Sequence, residues 1–122
     1  MERVFSVSEA RTLLPALTDL LTKLIAAQRE IVDTAPPGGH RVAAGNGSAA
    51  AAAGVSAAEH LYVELLREID SMGVIVRDAS TGLIDFAATR GSEPVYLCWR
   101  LHEPDIGYWH PRTTGFAGRL PL

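Results

Sequence analysis

Val95-Tyr96-Leu97-Cys98-Trp99-Arg100-Leu101-His102 decides the fold, because its apolar and polar side chains alternate without a break. A period of two is that of a β-strand, so Val95, Leu97, Trp99 and Leu101 share one face while Tyr96, Cys98, Arg100 and His102 share the other. Upstream, Val74-Ile75-Val76 and Leu83-Ile84-Asp85-Phe86 are further runs of strand formers, with Asp78-Ala79-Ser80-Thr81-Gly82 and Arg90-Gly91-Ser92-Glu93-Pro94 supplying turns between neighbours. Ile106 to His110 adds a fourth candidate strand. The C-terminal half therefore reads as a small antiparallel β-meander of three or four strands, one face packed on a cover and the other free for chemistry.

The cover comes from the N-terminal half. Ser6-Val7-Ser8-Glu9 has the spacing of a capping box, in which Ser6 and Glu9 satisfy each other's backbone amides at a helix start. Leu13, Leu14, Leu17, Leu20, Leu21, Leu24, Ile25, Ile31 and Val32 follow at helical spacing. Pro15 interrupts the backbone ladder within that pattern and predicts a kink near Leu14, or a short first helix that restarts. Ser56-Ala57-Ala58-Glu59 repeats the box spacing, and Ala58, Leu61, Tyr62, Leu65, Leu66, Ile69 and Met72 form a second stripe that stops at Gly73. Between the helices, residues 34–55 contain Pro36-Pro37-Gly38-Gly39, Gly45-Asn46-Gly47 and an alanine run, the composition of a long mobile connection. Ala49 to Ala53 has the propensity to form the first turns of the next helix, with Gly54 opposing it. The fold class is α+β: an antiparallel two-helix hairpin, kinked at Pro15, on the meander, as one domain over residues 1–122.

The whole composition narrows the function classes. With 122 residues, 48% hydrophobic and 20% charged, the chain can fold around one modest core. A net charge of -3 and the absence of a basic run disfavour nucleic acid as a partner. The longest apolar stretch, Ala49 to Val55, is far short of the roughly 20 residues of a membrane span, and the first residues lack a secretory core. One cysteine, Cys98, excludes an internal disulfide and a multi-cysteine metal site, which fits a cytoplasmic protein.

Chemistry-bearing side chains gather in the last quarter of the chain. His110 can take and give a proton near neutrality, Glu103 and Asp85 are candidate partners for it, and Arg100 can hold a developing oxyanion with its forked donors. Tyr96, Trp99, His102, Tyr108, Trp109, Phe116 and Arg119 are candidates for a substrate-binding wall, the tryptophans also serving readily as core. An ion-pair network closing the sheet onto the C-terminal segment is the plainer use of the charged set. A divalent metal held by His60, Glu64 and Glu68, which share a helix face, or by the His102/His110 pair is a weaker reading. Neither has the second-histidine helix motif that makes a zinc reading strong, so no metal is expected. Cys98 reads as a small core residue. No dinucleotide, Walker or nucleophile-elbow motif is present, and no cofactor is expected.

Gly82-Leu83-Ile84-Asp85-Phe86, Tyr96 to Leu101, Glu103-Pro104, Tyr108-Trp109-His110 and Gly115-Phe116-Ala117-Gly118-Arg119, with Phe5 to Ala10 and Leu13-Leu14-Pro15, resemble a family of small bacterial proteins catalogued as a domain of unknown function (2203). The resemblance implies a helical hairpin with a small sheet and no particular reaction. His102 stands where that family's pattern has glycine, and Leu120 where it has glutamine.

The expected function is a cofactor-independent acid–base enzyme carrying out dehydration, isomerisation or addition-cyclisation on a largely apolar small molecule, with natural-product biosynthesis as a setting and residues 34–55 as a lid. The alternative is a non-catalytic binding or assembly module in which a second copy completes the small core as a homodimer.

Overall fold

The computed structural model describes residues 2–34 and 48–122. Among these residues two α-helices, α1 (Val7–Thr34) and α2 (Ser48–Ser71), precede five strands, β1 (Val74–Asp78), β2 (Leu83–Arg90), β3 (Glu93–Arg100), β4 (Tyr108–Pro111) and β5 (Leu120–Pro121), with a 3-10 turn at Phe116–Gly118 before the last. The strands form one antiparallel sheet in the order β1-β2-β3-β4-β5. The class is α+β with one strand more than the largest number expected. Two residues pairing with Tyr108 and Trp109 are too short a run to show a period of two, so β5 carried no pattern to read.

The first capping box forms as its spacing requires. The Ser6 amide donates to Glu9 Oε1 and the Glu9 amide to Ser6 Oγ, both at 3.0 Å. The helix runs through Pro15 as a single element, so the alternative of a short helix that restarts there does not occur. Its fully covered positions are Ala10, Leu17, Leu20, Leu21, Leu24 and Ala27, whereas Val32 near the C-terminal end is exposed. The second box does not form a helix start. The α2 helix begins at Ser48, so Ser56 and Glu59 lie inside it, and the helix propensity of the alanine run prevails over the roughly 1 kcal/mol that Gly54 costs. The expectation of a mobile connection over 34–55 is thereby corrected at its ends, Thr34 and Ser48 to Val55 being helical. Its remainder and the lid reading lie outside the described residues.

The helices pack on each other, and α2 also meets β1. Leu17, Leu21, Leu24 and Ile69 from the helices join Val74, Ile84, Phe86, Val95, Leu97 and Trp99 from one sheet face in a continuous apolar core. Each such large side chain contributes about 1.5–3 kcal/mol by leaving water. Phe5 donates its amide to Ala87 O at 2.7 Å and sets its ring edge-on to Phe86 at 5.2 Å, so the residues before α1 are tied to β2. Gly82 enters β2 with φ 72°, and a Cβ there would meet Leu101 Cβ at 2.7 Å. That close approach lets the Leu101 amide reach Gly82 O at 3.0 Å and holds β2 and β3 in the register that sets Asp85 opposite Cys98.

Candidate functional site

Alternation places the polar set on the sheet face away from the helices. Asp85 on β2 pairs with Cys98 on β3, and Tyr96 pairs with His110 on β4. The side chains of Asp85 and His110 are almost wholly buried, at 2% and 3% exposed. His110 Nε2 lies 3.0 Å from Asp85 Oδ2, and its Nδ1 lies 2.9 Å from the Pro111 carbonyl. A carbonyl only accepts, so Nδ1 carries a proton, and Nε2 is the nitrogen left for exchange with the carboxylate. Arg77 Nε donates to the same Oδ2 at 2.8 Å. Asp85 Oδ1, equally buried, has no hydrogen-bond partner among the described residues.

Cys98 completes this floor. Asp85, Cys98 and His110 bring one ligand atom each to within 4.8 Å of one another. Burial, and then the charge of Asp85, pushes the Cys98 thiol up to about 12, so it is protonated and inert as a nucleophile. Tyr96 stands beside them with its ring 5.5 Å from that of His110, and the guanidinium groups of Arg77 and Arg112 lie 4.8 and 4.5 Å from its centroid. Arg112 is held in turn by Glu2.

The floor opens into a pocket of about 290 Å³ lined by Arg77, Leu83, Asp85, Cys98, His110, Arg112, Thr114, Gly115 and Phe116. A larger hollow of about 420 Å³ runs between α2 and β1, but its charged side chains, Arg67 and Asp70, are exposed. Buried polar groups converge in the smaller pocket, which is the better candidate.

The expected site residues divide into three groups. His110 and Asp85 are joined at the pocket floor, with Tyr96 and Phe116 around them. Glu103 is not a partner of His110. It takes two bonds from Arg119 Nη2, at 2.7 and 2.9 Å, and one from the Arg100 amide, an arrangement that closes the turn after β3. Arg119 is further boxed in by Tyr108 at 4.0 Å and Phe116 at 4.6 Å, and Arg100 lies 5.0 Å from the same Phe116 ring. Arg100 does not line the pocket; Arg77 and Arg112 do. The third group faces the helices: Trp99 is 2% exposed in the core, its Nε1 donating to Glu103 O, and Trp109 packs at the core's edge under Arg90. His102 is exposed on the turn and also lies outside the pocket lining.

Arg77 and Arg112 escaped the reading of the sequence. Alternation from Ile75 puts Arg77 on the face of Asp85, and an irregularity between Val76 and Asp78 lies where it turns inward. That signal was available. The pairing of Arg112 with Glu2, 110 positions away, had none. His60, Glu64 and Glu68 are not brought together as a ligand set, nor are His102 and His110; among the described residues the close group is Asp85, Cys98 and His110. Among the described residues, too, no helix is long and apolar enough to cross a membrane.

No curated protein and no solved structure matches the chain. One family pattern does, that of an uncharacterized conserved protein, DUF2203, and it matches residues 3–122. Nearly the whole chain is spanned, the helical cover as well as the strands that build the pocket, and the protein belongs to the DUF2203 family.

Proposed function

We propose that the protein is an acid–base enzyme for a small molecule bound in the pocket over Asp85 and His110, with dehydration, isomerisation or addition-cyclisation as the reaction class. One observation carries this reading: a buried carboxylate and imidazole, 3.0 Å apart, stand at the floor of a pocket rather than inside the apolar core. A structural ion pair has no need of an opening. Arg77 and the Pro111 carbonyl fix the two rotamers, as proton transfer to a bound ligand requires. His110 is the proton carrier, Asp85 its partner, and Arg77 and Arg112 take the charge-stabilising part expected of Arg100. Leu83 and Phe116 receive the apolar body of the ligand, and the guanidinium groups an anionic or carbonyl end. Glu103 and Arg119 are positioning residues that hold the Phe116 wall. In this reading α1 and α2 are an antiparallel hairpin bent at Pro15, covering the far side of the sheet, and the buried free thiol of Cys98 suits the reducing cytoplasm.

A substrate-blind assay tests it. Small carboxylates, phenols and unsaturated carbonyl compounds that bind the protein by ligand-observed NMR are incubated with it in D2O, and deuterium entry at their acidic C–H positions is followed. The expected result is exchange that falls about 10²–10⁴-fold in His110→Ala and in Asp85→Asn. Exchange equal in wild type and both variants would reject the reading.

A second reading, an assembly module, is favoured by Val32, Leu61 and Val63, apolar side chains 65%, 45% and 43% exposed on the helices. Light scattering at micromolar concentration tests it, and a strict monomer removes the homodimer.

A further inference from the structure

We infer that Asp85, Cys98 and His110 form a binding site for a single zinc-class divalent ion, whose coordination is completed from the pocket. The inference goes beyond the acid–base reading and stands on ligand geometry; it concerns the same His110 Nε2, which carries a proton in the metal-free site and the ion in the loaded one, and the metal titration reads the second state without any turnover.

The three donors are of different kinds, a carboxylate oxygen, a sulfur and an imidazole nitrogen, on three adjacent strands. Their mutual separations of at most 4.8 Å lie close to the roughly 3.3–3.8 Å between donors in a tetrahedral site with bonds of about 2.0–2.3 Å. Side-chain shifts of less than about 1 Å would close the difference. One oxygen, one nitrogen and one sulfur suit zinc or cobalt, whereas calcium and magnesium ask for an all-oxygen shell.

Two independent features point the cluster at a cation. Asp85 Oδ1 is buried and, among the described residues, without a hydrogen-bond partner, while Oδ2 is held by Arg77 and His110, so the carboxylate is anchored by one oxygen and offers the other. His110 gives its Nδ1 proton to the Pro111 carbonyl, which fixes the ring and leaves Nε2 as the coordinating nitrogen. Histidine ligands are commonly oriented in this way by an acceptor on the second nitrogen. The Nε2 to Oδ2 contact at 3.0 Å is a place for one proton, and an ion bound to Nε2 and Oδ1 would displace it. On binding, the Cys98 thiol gives its proton to solvent, together with any proton on Nε2, and the ion takes their place.

Three protein donors opening on a pocket leave a fourth position for water or ligand, the arrangement of catalytic rather than structural zinc. When bound, such an ion supplies Lewis acidity and an activated water. Leu83, Thr114 and Phe116 then define what reaches it.

Cobalt makes the test sharp, because Cys98 is the only cysteine in the chain. Tag-free protein, stripped with a chelator and dialysed, is titrated with Co2+ and read by absorbance and native mass spectrometry. The expected result is one Co2+ per chain with thiolate-to-cobalt charge transfer and four- or five-coordinate ligand-field bands, all removed by Zn2+. Asp85→Asn and His110→Gln, shown to be folded by circular dichroism, should weaken binding at least about 10-fold. The wild-type spectrum alone is decisive if those variants unfold, since the sulfur band can come only from Cys98. Stoichiometric binding without that band, no binding near equimolar metal, or unchanged affinity in folded variants overturns the inference.

Discussion

The two faces of the sheet are made by alternate residues of the same strands and are buried by different means. Toward the helices, Val74, Ile84, Phe86, Val95, Leu97 and Trp99 meet other apolar side chains and nothing else is asked of them. On the opposite face are Arg77, Asp85, Tyr96, Cys98 and His110, and there Asp85, Cys98 and His110 are as deeply buried as the core. Leu83 and Arg77 of the sheet and Arg112, Thr114, Gly115 and Phe116 of the C-terminal segment line the pocket over them. A face that served stability alone would be apolar, because charges taken out of water return little net energy even when paired. The contrast teaches that the helix-covered face makes the fold and the other face spends part of that stability on a site.

The largest expected effect comes from breaking the stabilising face. Phe86→Ala removes a ring that is 0% exposed and packed edge-on against Phe5, and should cost about 3–5 kcal/mol, read as a lower denaturation midpoint with an unchanged slope. A loss under about 1 kcal/mol would mean that the core is less continuous than the packing indicates.

Sharpening the other side of the comparison takes a double-mutant cycle. Asp85→Leu leaves Arg77 Nε without its acceptor and His110 Nε2 without its partner, and His110→Leu takes one partner from a buried carboxylate; each should cost about 1–3 kcal/mol. The double variant should be more stable than the sum of the two by about 0.5–3 kcal/mol, because replacing both partners with apolar groups leaves less unsatisfied. Additive losses would show that the two side chains are not coupled, and the acid–base reading would lose its central pair.

The same contrast explains how far the sequence could be read. Periodicity marks which residues share a face, so the helix stripes, the division of Tyr96, Cys98 and Arg100 from Val95, Leu97 and Trp99, and the Ser6–Glu9 box were legible from neighbours. Partners across strands were not, because register and turn geometry set them. Asp85 and His110 are candidates by chemical type, and the structure adds that they touch. Glu103 is a candidate on the same ground and lies instead against Arg119, with the tight turn after β3 fixing Glu103 and the C-terminal segment bringing Arg119 to it. Arg77 and Arg112 depended on an irregularity in β1 and on a contact spanning the chain.

A smaller effect should appear in acid. Glu2, held by Arg112, Glu9, held by the Ser6 amide, Asp78, held by the Ser80 hydroxyl, and Asp105, held by Arg11, all sit below their ordinary range. Stability from these depressed carboxylates is complete above their ordinary values of 4.5 for Glu and 3.8 for Asp and is lost as the pH falls through their lower folded values. The thermal midpoint should therefore be flat down to that range and drop below it, with Arg112→Met removing the Glu2 share. All four are exposed, so added salt should shrink the effect. A midpoint that rises on acidification would contradict the assignment.

The smallest expected effect concerns the turn that separates the two faces, and it runs toward greater stability. His102 has φ 82°, and among the described residues it is the non-glycine residue in that left-handed region. A Cβ there costs roughly 1–2 kcal/mol, while glycine costs about 0.5–1 kcal/mol in unfolded-chain entropy, so His102→Gly should gain up to about 1 kcal/mol. The side chain is exposed and outside the pocket lining, so little packing is lost. A chemical denaturation curve decides the sign. If His102→Gly is instead destabilising, the imidazole must be making a contact that offsets its strained backbone, and the turn would belong with the site and not with the scaffold.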